Sequence, residues 1–327
     1  MKHLDVEYTN GVIAAREKYL LKDKIARLCE LDAEDAFRAL LDSGFGGGAE
    51  TAINVHDYEK LIFAEETKID EFIREYVPSE AERAYLLSVR DFHNAKALLK
   101  AKYLQTSAER MLASEGLFSR ETLSVAVENG EYESLKEENP YLATALQEAT
   151  ALLEEEPSGA KVGDIFEKAL FAYLWSVSKR KKVLRELLKA KADMTNVLIA
   201  VRSQDEESAE LKYLPSGSLK KEELSKLFKE DAEKEFLQTP YADFVKIALQ
   251  AKGVPPMEAE RIRDGYDSAY FQSHKYELKK TEPFLYYVYR RRTEAANVRI
   301  IFVCLLAGLS EAEIKNAFGH GKGGGVA

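Results

Sequence analysis

The chain has 327 residues, 46% of them hydrophobic and 31% charged, the balance of a globular protein rather than a disordered or fibrous one. Fifty-six acidic residues against 47 basic ones leave a formal net charge of −9. That excess argues against general affinity for nucleic acid or for an anionic surface, and leaves room only for local basic patches.

In chain order, the opening MKHLDVEYTN has no apolar core of the kind a signal peptide carries. LLKDKIARLCELDAEDAFRALL, ESLKEENPYLATALQEATALLEEE and KLFKEDAEKEFLQTPYADFVKIALQ follow as segments rich in Ala, Leu, Glu and Lys. Their apolar residues recur at three- and four-residue steps, the period of a helix. Turn chemistry is confined to DSGFGGG at 42–48, EEPSGAK at 155–161, LPSGS at 214–218 and KGVPP at 252–256. Ser119 and Ser310 stand where helix caps belong. Strand-like alternation between turn signals is missing, so the pattern predicts an all-α protein. Near the end stands the run Ile300 to Leu309, too short to cross a bilayer, which takes about 20 residues. It predicts a buried core helix and a cytoplasmic chain without a membrane span. Cys29 and Cys304 lie in apolar helical patterns and read as free buried thiols.

An internal repeat organises these elements. DFHNAKALL, DMTNVLIAV and EAANVRIIF each place an acid three residues before an asparagine and then continue into an apolar run. The pairs are Asp91 and Asn94, Asp193 and Asn196, and Glu294 and Asn297, with the asparagines 102 and 101 residues apart. Other landmarks recur in the same order: Gly44-Phe45, Pro140-Tyr141 and Pro240-Tyr241, then Tyr58-Glu59, Phe166-Glu167 and Tyr266-Asp267. After the asparagines come Gly116 with Glu121, Gly217 with Glu222, and Gly308 with Glu313. The chain therefore divides into three divergent helical-bundle repeats, 1–110, 111–216 and 217–318, and a Gly-rich tail, 319–327. At a spacing of three, acid and asparagine share a helix face. A buried asparagine needs partners for its carbonyl and its amide, so the motif predicts a small polar cluster that pins helices in register.

Catalytic and metal-binding signatures do not assemble. Gly46 to Gly48 lack the Lys-Ser/Thr of a phosphate-binding loop. The tail glycines 319, 321 and 324 match a dinucleotide fingerprint on paper, but no helix can follow them. His3, His56, His93, His274 and His320 show no zinc spacing, and adjacent acids such as Glu65-Glu66 read as solvated helix faces. No cofactor or metal is expected. FLYYVYRRR at 284–292 interleaves aromatics with Arg290, Arg291 and Arg292, which would suit base stacking and phosphate pairing. In an acidic chain the same run suits a helix whose arginines meet acidic neighbours.

Four segments, YTNGVIAAREKYLL (Tyr8 to Leu21), LLDSGFG, the D-x-x-N-A-K-A-L-L-K-A-K-Y helix and R-x-x-E-A-A-N-V-R-I-I, together resemble one family. It is the C-type subunit of V/A-type rotary ATPases, the counterpart of the d-type subunit in the vacuolar enzyme. The resemblance covers nearly the whole chain. It implies a non-catalytic rotor part, a funnel of three similar helical domains with pseudo-threefold symmetry. Its expected partners are the proteolipid ring of the membrane sector and the central shaft subunits of the D and F type, with no nucleic acid. Arg90, Arg292 and Arg299, beside the repeated asparagines, are expected to brace the bundles. Two other classes share some of these features: a helical-repeat scaffold that binds peptide, and an RNA-binding protein that uses Tyr286 to Arg292.

Overall fold

The computed structural model describes residues 5–21, 23–47, 52–155, 158–250 and 257–320, with the side chains of 19, 110, 316 and 318–320 outside that description. His3, Gly48, the KGVPP turn and the tail beyond residue 320 also lie outside it. Among the described residues there is no strand. Twelve helices of nine residues or more carry the fold of the described residues. They are α1 (Val6–Arg16), α2 (Ala33–Asp42), α3 (Tyr58–Tyr76), α4 (Glu80–Leu104), α5 (Arg120–Asn129), α6 (Pro140–Glu155), α7 (Gly159–Val177), α8 (Lys182–Arg202), α9 (Ala242–Gln250), α10 (Met257–Ser273), α11 (Glu282–Leu306) and α12 (Glu311–His320).

Local chemistry sets many of the helix ends. Asp32 accepts from the Asp35 amide at 2.8 Å to start α2, and Ser119 accepts from Thr122 at 3.0 Å to start α5. Both satisfy an amide that the first turn leaves without an intrahelical partner. Ahead of α12, Glu313 reaches back to the Ser310 amide at 2.8 Å. Gly308, with φ +73°, closes the C-terminal end of α11, where its amide donates to Leu305 O at 3.0 Å.

The helices gather into two compact units, one of residues 1–79 with 260–327 and one of 80–259. In the second unit α4 packs against α5, α6 and α7, the last two forming a hairpin, while α8 packs against α7 and α9. In the first, α11 packs against α1, α2, α3, α12 and the short helix Lys24–Leu28. The helix that carries each acid-x-x-Asn motif thus lies on elements beyond its own connecting loop, and for α11 these are at the N-terminal end of the chain.

Of the apolar run 300–309, Ile301, Phe302 and Cys304 belong to the core of the first unit, whereas Val303, Leu306 and Leu309 are exposed, so the expected buried run is buried on one face only. Ile301 and Phe302 are fully buried and join Ile25, Leu28, Phe37, Leu40, Leu61 and Ile62 in one cluster. The Phe302 ring stacks on Tyr58 at 5.4 Å and meets Phe37 edge-on at 6.2 Å, geometries that aromatic quadrupoles favour. No helix of the described residues is long and apolar enough to cross a membrane. Cys29 and Cys304 are free and buried in the same cluster.

Candidate functional site

The three acids, joined by Asn94 and Asn196 but not by Asn297, form three backbone clasps. Asp91, Asp193, Glu294, Asn94, Asn196 and Asn297 are all buried, and at helical spacing each pair faces one way. On α4, Asp91 accepts from the amides of Leu117 at 2.9 Å and Phe118 at 3.1 Å. Asn94 accepts from the Ala113 amide at 2.8 Å and turns its own amide to Ala113 O and Ser114 O. On α8 the same geometry recurs. Asp193 accepts from the amides of Ser218 and Leu219, both at 2.8 Å. Asn196 exchanges both hydrogen bonds with Leu214, at 2.7 and 3.1 Å.

The register of the two clasps is identical. Each aspartate holds the two residues just before a helix N-cap, Ser119 in one case and Lys220 in the other. Each asparagine holds the residue six before that cap. On α11, Glu294 accepts from the Leu21 amide at 2.9 Å, and Leu21 again stands two residues before an N-cap, Asp23. The third clasp therefore holds the start of the chain, where the first two hold the loop that follows. Charge-assisted bonds of this kind are stronger than neutral ones, and a buried carboxylate needs them to offset its lost hydration.

Glycine makes the first two clasps possible. A Cβ on Gly116 would stand 2.2 Å from Asp91 Oδ1, and one on Gly217 would stand 2.5 Å from Asp193 Oδ1. The third clasp has no glycine, and its acid is a glutamate, one methylene longer. Gly308, the third glycine landmark of the sequence, ends a helix and takes no part in a clasp. Asp193 has further partners in Ser218 Oγ at 2.5 Å and the Tyr241 hydroxyl at 2.7 Å. Tyr141, at the matching landmark, instead packs edge-on against Tyr173 at 6.0 Å. Burial, with the nearby Asp91 charge adding to it, pushes the Tyr173 hydroxyl up to about 12.

The arginine run of α11 is engaged inside the first unit. Arg291 donates to Glu65 through two nitrogens and to the Tyr287 hydroxyl at 2.9 Å, all three side chains being buried. Burial works against the Arg291 charge, yet Glu65 and Tyr287 hold its pKa above the ordinary guanidinium value. The other oxygen of Glu65 accepts from the Gly46 amide at 3.1 Å. Gly46 has φ +62°, and a Cβ there would stand 2.6 Å from Leu61 O, so the glycine-rich loop serves a close approach to α3. Arg290 pairs with Glu294 at 3.3 Å and Arg292 with Asp70 at 4.0 Å. Tyr289 donates to Asp267 at 2.8 Å. Arg299 bridges Glu59 and Glu66, and Arg90 donates to Glu115 O at 3.4 Å.

Glu65, expected on a solvated helix face, is instead buried against Arg291, and this pair, the Tyr241 contact and the close approach of the two glycines were not legible as such in the sequence. Tyr241 and both glycines were visible only as recurring landmarks. Among the described residues there is no group of three or more His, Cys, Asp or Glu side chains able to hold a metal ion. The second unit has a cleft of about 1380 Å³ between the α6–α7 hairpin and the segment 208–224, lined by Tyr141, Ile165, Ala169, Leu211 and Tyr213 among others.

Backbone clasps and internally paired arginines hold the helices of this all-α chain together. The chain belongs to the family described as ATP synthase (C/AC39) subunit, whose model matches residues 9–317. It is 27% identical to the C subunit of the A-type ATP synthase of Methanosarcina acetivorans, over 93% of this chain and 90% of that protein. It is 21% identical to the C subunit of the V-type sodium ATPase of Enterococcus hirae, over 90% of this chain and 92% of that one. The C subunit of the A-type ATP synthase of Methanosarcina mazei matches at 25%, over 93% and 90%.

Proposed function

We propose that the chain is a non-catalytic, rotor-side subunit of a V/A-type ATPase, a socket that links the rotating shaft to the membrane proteolipid ring. In this role it couples ATP hydrolysis or synthesis in the soluble head to movement of H⁺ or Na⁺. The family match across residues 9–317 carries this reading. Names of relatives as C subunits of V-type and A-type enzymes support it.

The three acid-x-x-Asn helices support a threefold design. Asp91 and Asp193 each hold the start of the next copy, and Glu294 holds Leu21 at the start of the first. A head-to-tail contact repeated three times and returning to its origin is the logic of a closed ring. We take the three copies to surround a pseudo-threefold axis as a funnel, with a central opening for the shaft. Close-packed helices transmit strain with little compression, which suits a part under torque. The arginines of 290–292 are paired within the protein and leave RNA recognition without its phosphate contacts.

The test is a pull-down of the tagged chain from detergent-solubilised membranes, with mass spectrometry of the retained proteins at low and high salt. Proteolipid and shaft subunits are expected at low salt, with the ring released first as salt screens exposed charges. Retention of neither would overturn the proposal.

A further inference from the structure

The turns that lead into the last two acid-x-x-Asn helices carry basic charge that nearby acids neutralise only in part, Lys280 of the second turn being paired with Glu277. Between α7 and α8 the sequence reads SKRKK, residues 178–182. Lys181 pairs with the buried Glu82 at 2.9 Å. The other acids nearby are also engaged, Glu80 with Arg83 at 2.6 Å and Glu186 with Lys189 at 2.9 Å. Lys179, Arg180 and Lys182 are exposed, and none of them makes an ion pair with an acid among the described residues. The turn is fixed rather than loose: Ser178 is fully buried and donates to Leu174 O at 3.1 Å, and Lys181 donates to Ser178 O at 2.9 Å. Arg185 lies over the Trp175 ring at 3.8 Å.

In the other unit, the connection between α10 and α11 has a related composition. Tyr276 is 80% and Leu278 63% exposed, beside the exposed Lys279 and Lys280. Lys275 stands 5.0 Å from the Tyr276 ring. Asn10 fixes this connection through Leu278 O at 2.6 Å and Lys280 O at 3.1 Å. Asn10 thus holds the backbone of Leu278, next to the exposed Tyr276, at a fixed place on the surface. An amphipathic ring and an aliphatic side chain among lysines are what the boundary between lipid headgroups and acyl chains accepts.

We propose that these two turns are contact points for anionic phospholipid headgroups. Lys179, Arg180 and Lys182 supply charge in one, and Tyr276 and Leu278 supply shallow insertion with Lys275 and Lys279 in the other. The inference rests on the seating beside the membrane ring proposed above. A net charge of −9 repels an anionic bilayer as a whole, so contact is confined to the turns.

The experiment is flotation of the purified full-length chain with vesicles of phosphatidylglycerol and phosphatidylcholine in about equal parts, against vesicles of phosphatidylcholine alone. The wild-type chain floats with the anionic vesicles only, and high salt releases it. Combined Lys179→Gln, Arg180→Gln and Lys182→Gln weakens partitioning on the order of a hundredfold, at about fivefold per cation. Tyr276→Ser with Leu278→Ser, made separately in the wild-type chain, weakens partitioning and raises its salt sensitivity. Circular dichroism confirms that these surface variants are folded. A wild-type chain that ignores anionic vesicles, or a triple variant that binds them as well as wild type, overturns the inference. A chain that ignores vesicles yet retains the ring and shaft proteins defeats the lipid contact and leaves the rotor reading standing. One that floats but retains neither of these does the reverse.

Discussion

Gly217→Ala and Gly163→Ala are the same substitution within one unit, and they should move stability in opposite directions. At Gly217 the new Cβ would stand 2.5 Å from Asp193 Oδ1 and 3.5 Å from Cγ. The carboxylate has nowhere to retreat, being held by Ser218, Leu219 and Tyr241. Overpacking costs about 1–3 kcal/mol, and loosening one charged hydrogen bond adds about 1.5–3 kcal/mol. A loss of about 3 kcal/mol is expected. Gly163 lies within α7 and a Cβ there meets nothing within 4 Å, so alanine should add up to about 1 kcal/mol through helix propensity. Trp175, the single tryptophan of the chain, lies on α7, so its fluorescence during urea unfolding reads the unit that holds both sites. Midpoints shifted in opposite directions at unchanged slope are the expected result. In an Asp193→Ala background the Gly217→Ala penalty should largely disappear, a coupling of about 2 kcal/mol. Equal midpoints for Gly217→Ala and wild type, or strict additivity with Asp193→Ala, would refute the clasp.

Three further outcomes follow from the same geometry. Glu65→Ala leaves Arg291 buried without its acid and should cost about 3–5 kcal/mol, whereas Glu65→Leu combined with Arg291→Met should recover most of that loss in thermal melts. Phe302→Ala opens the shared core of α2, α3 and α11 and should cost about 3–5 kcal/mol by denaturant titration. Burial pushes the Cys29 thiol up to about 11. A folded pKa above the unfolded one contributes stability that is present below about 9 and lost as pH rises toward about 11. Both cysteines should accordingly resist a thiol reagent near pH 8 until denaturant is added, and rapid reaction of the native chain would contradict their burial.

Much of this was legible in the sequence, and the remainder was hidden for a physical reason. Helical periodicity was readable because it is local, and Asp91-x-x-Asn94 and its two counterparts were readable because their spacing repeats. What those residues hold was not, because their partners are backbone amides, and an amide has no letter of its own. The helix-to-helix pin that buried asparagines suggest takes the form, for Asn94 and Asn196, of bonds to loop backbone. Gly116 and Gly217 could be read as landmarks but not as close approaches, and Gly308 shared their label while ending a helix. The change from Asp to Glu at residue 294 is the one sequence trace of the third clasp. A longer side chain is what reaching Leu21 without a glycine requires. Arg291 was visible in a basic run, but its own partner Glu65 lies on α3, more than two hundred residues earlier, beyond the reach of any local pattern.

Coupling tests the central claim most directly. ATP hydrolysis and ion uptake should be measured side by side in membrane vesicles from cells that lack the chain, before and after the purified chain is added. A rotor-side socket predicts that hydrolysis by the head persists without the chain, that ion uptake is lost, and that adding the chain restores it. Ion uptake that is unchanged in its absence would contradict the account.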